Sequence, residues 1–344
     1  MRAPLTSAAW IAALCLAGCL GGCLERIESI TIEPDGTVLI EAVFKTDEPG
    51  ELYEGDAIPS DAGGWLVDES QEIDDDGKTR YFLAAEGVFG PDVELPGSYA
   101  VPGDPDAPLY LQFPTTVVID YRPDAVYYHF HRRYPGRAWA HIEALRELLI
   151  DEKTKDLKDT LEKDLTREDR TLLVRSYTDF EVAKLLTFAR AAFLETTPDL
   201  PQDSWLDVIA AFRELQGELD LDAIAEIMEL EDDDEREEAI AKEVDSWREK
   251  SFTTLQSALR DFCGYDSRHM KTFLRLYEAR LKSFDVTSGL GDDAFQITVV
   301  MPGEIVGSNA ESVSRDRVTW TFSGRRFRDR DVELMVSSRL EYGQ

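Results

Sequence analysis

The stretch Tyr127-Tyr128-His129-Phe130-His131-Arg132-Arg133-Tyr134-Pro135-Gly136-Arg137-Ala138-Trp139-Ala140-His141 holds three of the chain's four histidines and three arginines. In a protein with 69 acidic and 37 basic residues, this is where chemistry would be sought first. On a strand His129 and His131 point the same way, and His141 could approach from the following helix, so three imidazoles could hold zinc. Arg132, Arg133 and Arg137 could instead fork onto a carboxylate or phosphate. His129, His131, Arg132, Arg133, Arg137, Trp139 and His141 are therefore the candidate binding residues. A plainer role stands ahead of both chemistries: a strand-to-helix junction whose aromatics pack a seam and whose arginines pair with nearby acids. No metal site, cofactor or catalytic residue is assigned.

Other motifs fail on their own chemistry. Glu72, Asp74, Asp76 and Gly77 fit the first, third, fifth and sixth positions of a calcium loop, but Arg80 and Leu83 occupy the ninth and twelfth, so the bidentate acid is missing. A hairpin turn is the better reading. Gly77-Lys78-Thr79 ends like a phosphate loop without its leading glycine. Gly289-Leu290-Gly291 leads into a strand, where a dinucleotide site needs a helix. Glu231–Glu238 suits a helix start. Arg325, Arg326, Arg328 and Arg330 read as a charged loop in preference to a headgroup contact. The Gly-x-Ser-x-Gly, Ser-x-x-Lys, His-Glu-x-x-His and Cys-x-x-Cys patterns are absent. An extracytoplasmic hydrolase using an acid pair or the segment 129–141 is the alternative to a binding protein.

The N-terminus supplies an address. Arg2 precedes the apolar run Ala8–Leu16, too short to span a bilayer, and Leu16-Ala17-Gly18-Cys19 ends it as a lipoprotein peptidase site would. Leu20-Gly21-Gly22-Cys23 repeats the pattern. Cys19 is the expected lipidated residue and Cys23 the alternative, which would leave Cys263, a small core residue, as the only other cysteine. The expected location is a bacterial cell envelope, outside the cytoplasm, with the membrane as partner through the lipid. The net charge of −32 divides as −17 over 19–134, −13 over 135–284 and −3 over 285–344, and it argues against nucleic-acid binding.

These features need elements to hold them. Ile30 and Ile32, then Val38, Ile40, Ala42 and Phe44, alternate around Glu33-Pro34-Asp35-Gly36, predicting a hairpin over 26–45. Residues 46–108 read as loop-heavy, with a strand near Thr79–Val88. Strands follow at Thr115–Tyr121 and Ala125–Arg133. From Pro135, taken as a first helical residue, to Phe284 the period is helical. Trp205, Ile209, Phe212 and Leu219 share one face. Ile240, Val244, Trp247, Leu255, Leu259 and Phe262 share another that ends at Gly264. Val182–Leu194, apolar nearly all round, reads as a central helix. Period two returns in Phe295, Ile297 and Val299, in Val318, Trp320 and Phe322, and in Val332, Leu334 and Val336. The expected class is α+β: an antiparallel β unit built from both chain ends, with an all-helical unit inserted. The expected divisions are a leader over 1–22 (1–18 with Cys19 as anchor), β-rich parts over 23–134 and 285–344, and helices over 135–284.

Two pieces carry a resemblance. The anchor cysteine with Ile30-Thr31-Ile32-Glu33-Pro34-Asp35-Gly36-Thr37-Val38 is one. The other is Ile297-Thr298-Val299-Val300-Met301-Pro302-Gly303-Glu304-Ile305-Val306 with Ser308-Asn309-Ala310 and Val318-Thr319-Trp320-Thr321-Phe322. Together they resemble the β domain of LppM-like bacterial lipoproteins. The resemblance implies an anchored envelope protein with a non-enzymatic binding or assembly role, for a lipid, a glycan or a protein partner.

Overall fold

The alternation expected near the N-terminus is physical. In β1 (Glu25–Ile32) Arg26, Glu28, Ile30 and Ile32 are buried, and in β2 (Val38–Thr46) Val38, Ile40, Ala42, Phe44 and Thr46 are. The two strands pair antiparallel. Between them Glu33 N–H donates to Thr37 C=O over 2.8 Å, and Asp35 Oδ1 accepts from Thr37 N–H over 2.9 Å. Gly36 takes φ +90°, and a Cβ there would lie 2.8 Å from Ile119 Cδ1, so the turn requires glycine twice over.

This computed structural model describes residues 24–52, 55–73, 77–158, 165–200, 203–217, 224, 226–227 and 233–342. The leader, Cys19, Cys23, Asp74–Asp76 and Leu219 lie outside these residues, as do the side chains of Ile240, Val244 and the acidic run 231–238. The described chain is α+β, with an all-helical region between β regions. It divides into two compact units, one of Gly21–Ala140 with Lys282–Gln344 and the other of His141–Leu281.

The remaining strands of the β unit are β3 (Leu66–Ile73), β4 (Thr79–Phe89), β5 (Thr115–Tyr121), β6 (Ala125–Tyr134), β7 (Ala294–Val300), β8 (Glu304–Ser308), β9 (Ser312–Val313), β10 (Arg317–Ser323) and β11 (Val332–Glu341). Among the described residues they form a seven-stranded sheet, β3-β4-β2-β1-β7-β10-β9, and a four-stranded sheet, β5-β6-β11-β8. Both sheets contribute to one apolar core, in which the Tyr134 ring of β6 meets Phe295 of β7 and Phe322 of β10 at centroid distances of 6.2 and 5.8 Å.

The structure corrects several expectations. β1 and β7 run parallel, with Glu25 opposite Ala294 and Thr31 opposite Val300, so the sheet is not wholly antiparallel. A parallel pair needs a long crossover, and the rest of the chain between the two strands supplies it. β3 lies in the stretch read as loop-heavy, because Leu-Val-Asp-Glu-Ser-Gln-Glu-Ile is exposed at nearly every position and so shows no period of two. The first helix starts at Ala140, not Pro135. Arg137 N–H donates to Phe327 C=O over 2.8 Å and Arg137 C=O accepts from Asp329 N–H over 2.7 Å, which holds this stretch extended.

Among the described residues the α-helices include α1 (Ala140–Leu149), α2 (Glu152–Lys158), α3 (Arg167–Thr196), α4 (Asp203–Gly217), α5 (Asp233–Cys263) and α6 (Ser267–Leu290). The last outruns the expected end at Phe284. Thr166 and Asp169 close a reciprocal capping box at the start of α3. Gly264, at φ +65°, ends α5: its N–H reaches Arg260 C=O, and Tyr265 N–H reaches Leu259 C=O. Within α3 Val182, Phe188, Ala192 and Phe193 are buried, but Arg190 and Leu194 are exposed, so that segment is not enclosed all round. Phe262 departs from its expected stripe and is half exposed. Cys263 is buried beside Ser204 C=O, and burial pushes its thiol pKa up.

Candidate functional site

Strand parity sorts the histidine- and arginine-rich segment into places of different kinds. Along β6 the even positions Val126, Tyr128, Phe130, Arg132 and Tyr134 are buried, and the odd positions Tyr127, His129, His131 and Arg133 face outward.

Arg132 therefore lies inside the β unit with 0 % of its surface exposed. Its Nη1 donates to Glu28 Oε2 over 2.5 Å, and its Nε donates to Thr115 Oγ1 over 2.8 Å. The guanidinium also lies over the Phe113 ring, 4.8 Å from its centroid. Because Glu28 belongs to β1 and Arg132 to β6, this ion pair joins the two sheets through the core. Burial pushes the Tyr134 hydroxyl up to about 12, although Arg132 pulls the other way.

Two residues before Glu28, on the same face of β1, Arg26 is also buried. Its Nε donates to Asp293 Oδ2 and its Nη1 to Asp56 Oδ2, each over 2.8 Å, between the rings of Phe44 and Phe295. Asp56 Oδ1 also accepts from Leu111 N–H over 2.7 Å, so one carboxylate ties two loops to β1. Burial alone would lower the Arg26 pKa, but Asp293 and Asp56 raise it above its ordinary value. Two carboxylates share this one guanidinium, and burial pushes the Asp293 carboxyl up to about 6 despite Arg26. Beside them the Glu51 carboxyl is raised by burial and holds the Thr46 hydroxyl. None of Arg26, Glu28, Asp56 and Asp293 was singled out from the sequence. The alternation through Ile30 and Ile32, continued backward, would have placed Arg26 and Glu28 inside.

Arg137 and Trp139 secure the chain where it leaves β6. Arg137 Nε donates to Thr287 Oγ1 over 2.7 Å, and its Nη2 reaches Leu109 C=O and Ser283 C=O over 2.8 and 2.9 Å. Among the described residues no carboxylate pairs with this guanidinium, and burial lowers its pKa despite Asp56. Trp139 stacks on Phe284 at 5.0 Å, and the Arg328 guanidinium lies 3.8 Å over the indole. Asp329, held at φ +59°, accepts from the N–H groups of Trp139 and Ala140 over 2.9 and 2.8 Å and so caps α1 from elsewhere in the chain.

The outer face of the four-stranded sheet keeps three of the candidates. His129 Nδ1 lies 2.8 Å from Ser337 Oγ, and Arg133 pairs with Asp331. His131 sits in register with Thr116 and Met335, and its Nε2 is buried without a hydrogen-bond partner among the described residues. Around them Val118 and Met335 leave 56 % and 44 % of their surface exposed. His141 is exposed at the start of α1 in the other unit, its ring edge-on to Phe188. Among the described residues no three His, Cys, Asp or Glu side chains converge as metal ligands. The helical unit holds a cavity of about 380 Å³ lined by Arg190, Phe193, Trp205, Leu206 and Ile209, and none of the sequence candidates borders it. No described helix is long and apolar enough to cross a membrane.

The fold and these sites thus define an α+β chain with a β unit braced by buried ion pairs. No family model and no curated protein matches it. Among solved structures it is similar to the NMR structure of the LppM folded domain of Mycobacterium tuberculosis, at 10% identity and a TM-score of 0.28, over 94% of this chain and 93% of that one. A likeness of that size carries no argument about activity.

Proposed function

We propose that this chain is a lipid-anchored protein of a bacterial envelope that binds an envelope lipid, glycan or protein without turning it over. The observation that carries the proposal is the apolar run Ala8–Leu16 closed by Leu16-Ala17-Gly18-Cys19, with β1 beginning at Glu25 directly after the second box. Binding is favoured over hydrolysis because the strongest ionisable groups of the β unit are engaged with one another. Arg26, Glu28, Asp56, Arg132 and Asp293 form intramolecular ion pairs inside a packed core. A surface open to a ligand is the outer face of the four-stranded sheet, where His129, His131 and Arg133 lie near the exposed Val118 and Met335.

That face can be tested without unfolding the protein. The variant carrying His129→Ala, His131→Ala and Arg133→Ala is expected to stay folded, since these residues lie outside the core and the Arg133–Asp331 pair is an exposed one worth little, and to lose a lipid, glycan or protein that copurifies with wild type. An unchanged set of copurifying molecules would remove this face as the binding surface. Turnover of a glycan or ester by the purified protein, abolished by Asp293→Asn, would replace the proposal with the hydrolase reading.

A further inference from the structure

We infer that the turn Gly324–Phe327 and the arginines that follow it form a contact for anionic lipid headgroups, fixing which edge of the β unit faces the bilayer; this rests on the anchored reading. Sequence alone gives the four arginines within 325–330 no neighbour. The strand register supplies one. Leu24 C=O accepts from Ala294 N–H over 3.0 Å, and Asp293 C=O accepts from Gly324 N–H over 2.9 Å. The line Glu25, Ala294, Ser323 runs straight across β1, β7 and β10. The arginine turn therefore starts two strand spacings, roughly 10 Å, from where the chain departs toward its lipidated cysteine.

The chain between anchor and body is short. Cys19 is five residues before Leu24 and Cys23 is one, so even a fully extended link spans at most about 18 Å from Cys19. That keeps the start of β1 within about 18 Å of the anchor, so the turn beside it can reach the headgroups. The turn is also rigid. Gly324 packs so closely on the end of α6 that a Cβ would lie 1.7 Å from Leu290 C=O.

Its arginines are exposed. Arg325, 68 % exposed, pairs on the surface with Asp292, itself 64 % exposed, and Arg326 reaches Glu311 at 3.5 Å. Exposed pairs of this kind are worth little and exchange readily for a lipid phosphate. Arg330 is exposed, with its Nε on Arg326 C=O. Arg328 is not part of the contact, because it is stacked over Trp139. On the other flank of β1, Asp47 and Glu48 follow β2, with Arg80 3.6 Å from Asp47, whereas residues 325–331 hold four arginines and two aspartates, so the two flanks of this sheet end differ in charge. A chain carrying −32 is repelled by an anionic bilayer unless it turns its basic flank to it. Each arginine near such a surface favours contact about five-fold, within a Debye length of about 8 Å at physiological salt.

The test is arginine footprinting with phenylglyoxal on the full acylated chain, reconstituted in vesicles of phosphatidylcholine alone or with one third phosphatidylglycerol. Flotation with the phosphatidylcholine vesicles reports the anchor, which needs no anionic lipid. Modification of Arg325, Arg326 and Arg330 is expected to slow several-fold on the phosphatidylglycerol vesicles and to recover in high salt. Arg317, at the far end of β10, is expected to react equally on both. Equal rates at all four arginines, with the protein floating on both vesicles, would overturn the headgroup contact and leave the anchor standing. Failure to float on phosphatidylcholine, with no acyl mass on the chain, would overturn the anchor and the contact together.

Discussion

Replacing Arg132 by Met is expected to cost about 3–5 kcal/mol of stability, which is a large part of what holds an ordinary domain together. The loss comes less from the missing bond than from Glu28, whose carboxylate would remain buried between the sheets with its ion-pair partner gone. Thr115 would lose its donor as well, although its own hydroxyl still reaches Phe113 C=O. Removing both charges removes the buried carboxylate. The double variant Glu28→Gln with Arg132→Met is therefore expected to regain most of the loss in urea unfolding. A single variant as stable as wild type, or a double variant worse than the single, would show that this ion pair does not brace the sheets.

Asp293 gives a second large effect, visible as a pH dependence. Its carboxyl pKa is about 6 in the folded chain against an ordinary 3.8. The folded state therefore binds this proton more tightly than the unfolded state. Its stabilising effect is complete below about pH 4 and is lost as pH rises through about 6, for a total of about 3 kcal/mol. Carboxyls held low work in the opposite sense: Asp331, which accepts from Gly136 N–H and Arg133, contributes stability above its ordinary pKa and loses it in acid. The comparison with Asp293→Asn separates the two, because it removes the titration at 293 and leaves Asp331 with its Gly136 and Arg133 partners. The stability of the Asn variant relative to wild type is expected to rise by about 2.4 kcal/mol between pH 4 and pH 7 in urea titrations. A difference that stays flat across that range would refute the raised carboxyl.

Much of the fold is legible in the sequence where a single face is buried. Ile30, Ile32, Val38 and Phe44 in the hairpin, and Val318, Trp320 and Phe322 in β10, show their period because water lies on the other side. β3 is illegible for the same reason reversed: both of its faces meet solvent, so nothing imposes alternation. The candidate segment was legible in composition and misleading in grouping. Strand parity alone separates Arg132 from His129, His131 and Arg133. Counting two residues back from Ile30 similarly puts Glu28 and Arg26 inside, against the expectation that charges stay out. The neighbours of these residues could not be read at all. Asp56, Asp293 and Glu28 reach their partners across 30 to 267 residues of sequence, and only the registers of β1 on β7 and of β7 on β10 bring the arginine turn near the start of β1.

The central claim, an exported chain held by lipid on a cysteine, is tested most directly by intact mass spectrometry of the protein purified from membranes, alongside the variant carrying Cys19→Ser and Cys23→Ser. Wild type is predicted to lack the leader and to carry acyl mass on its first cysteine, with the double variant released to the soluble fraction. The single variants then identify which cysteine carries it. Wild type without an acyl group, together with a double variant that still sediments with membranes, would contradict the account.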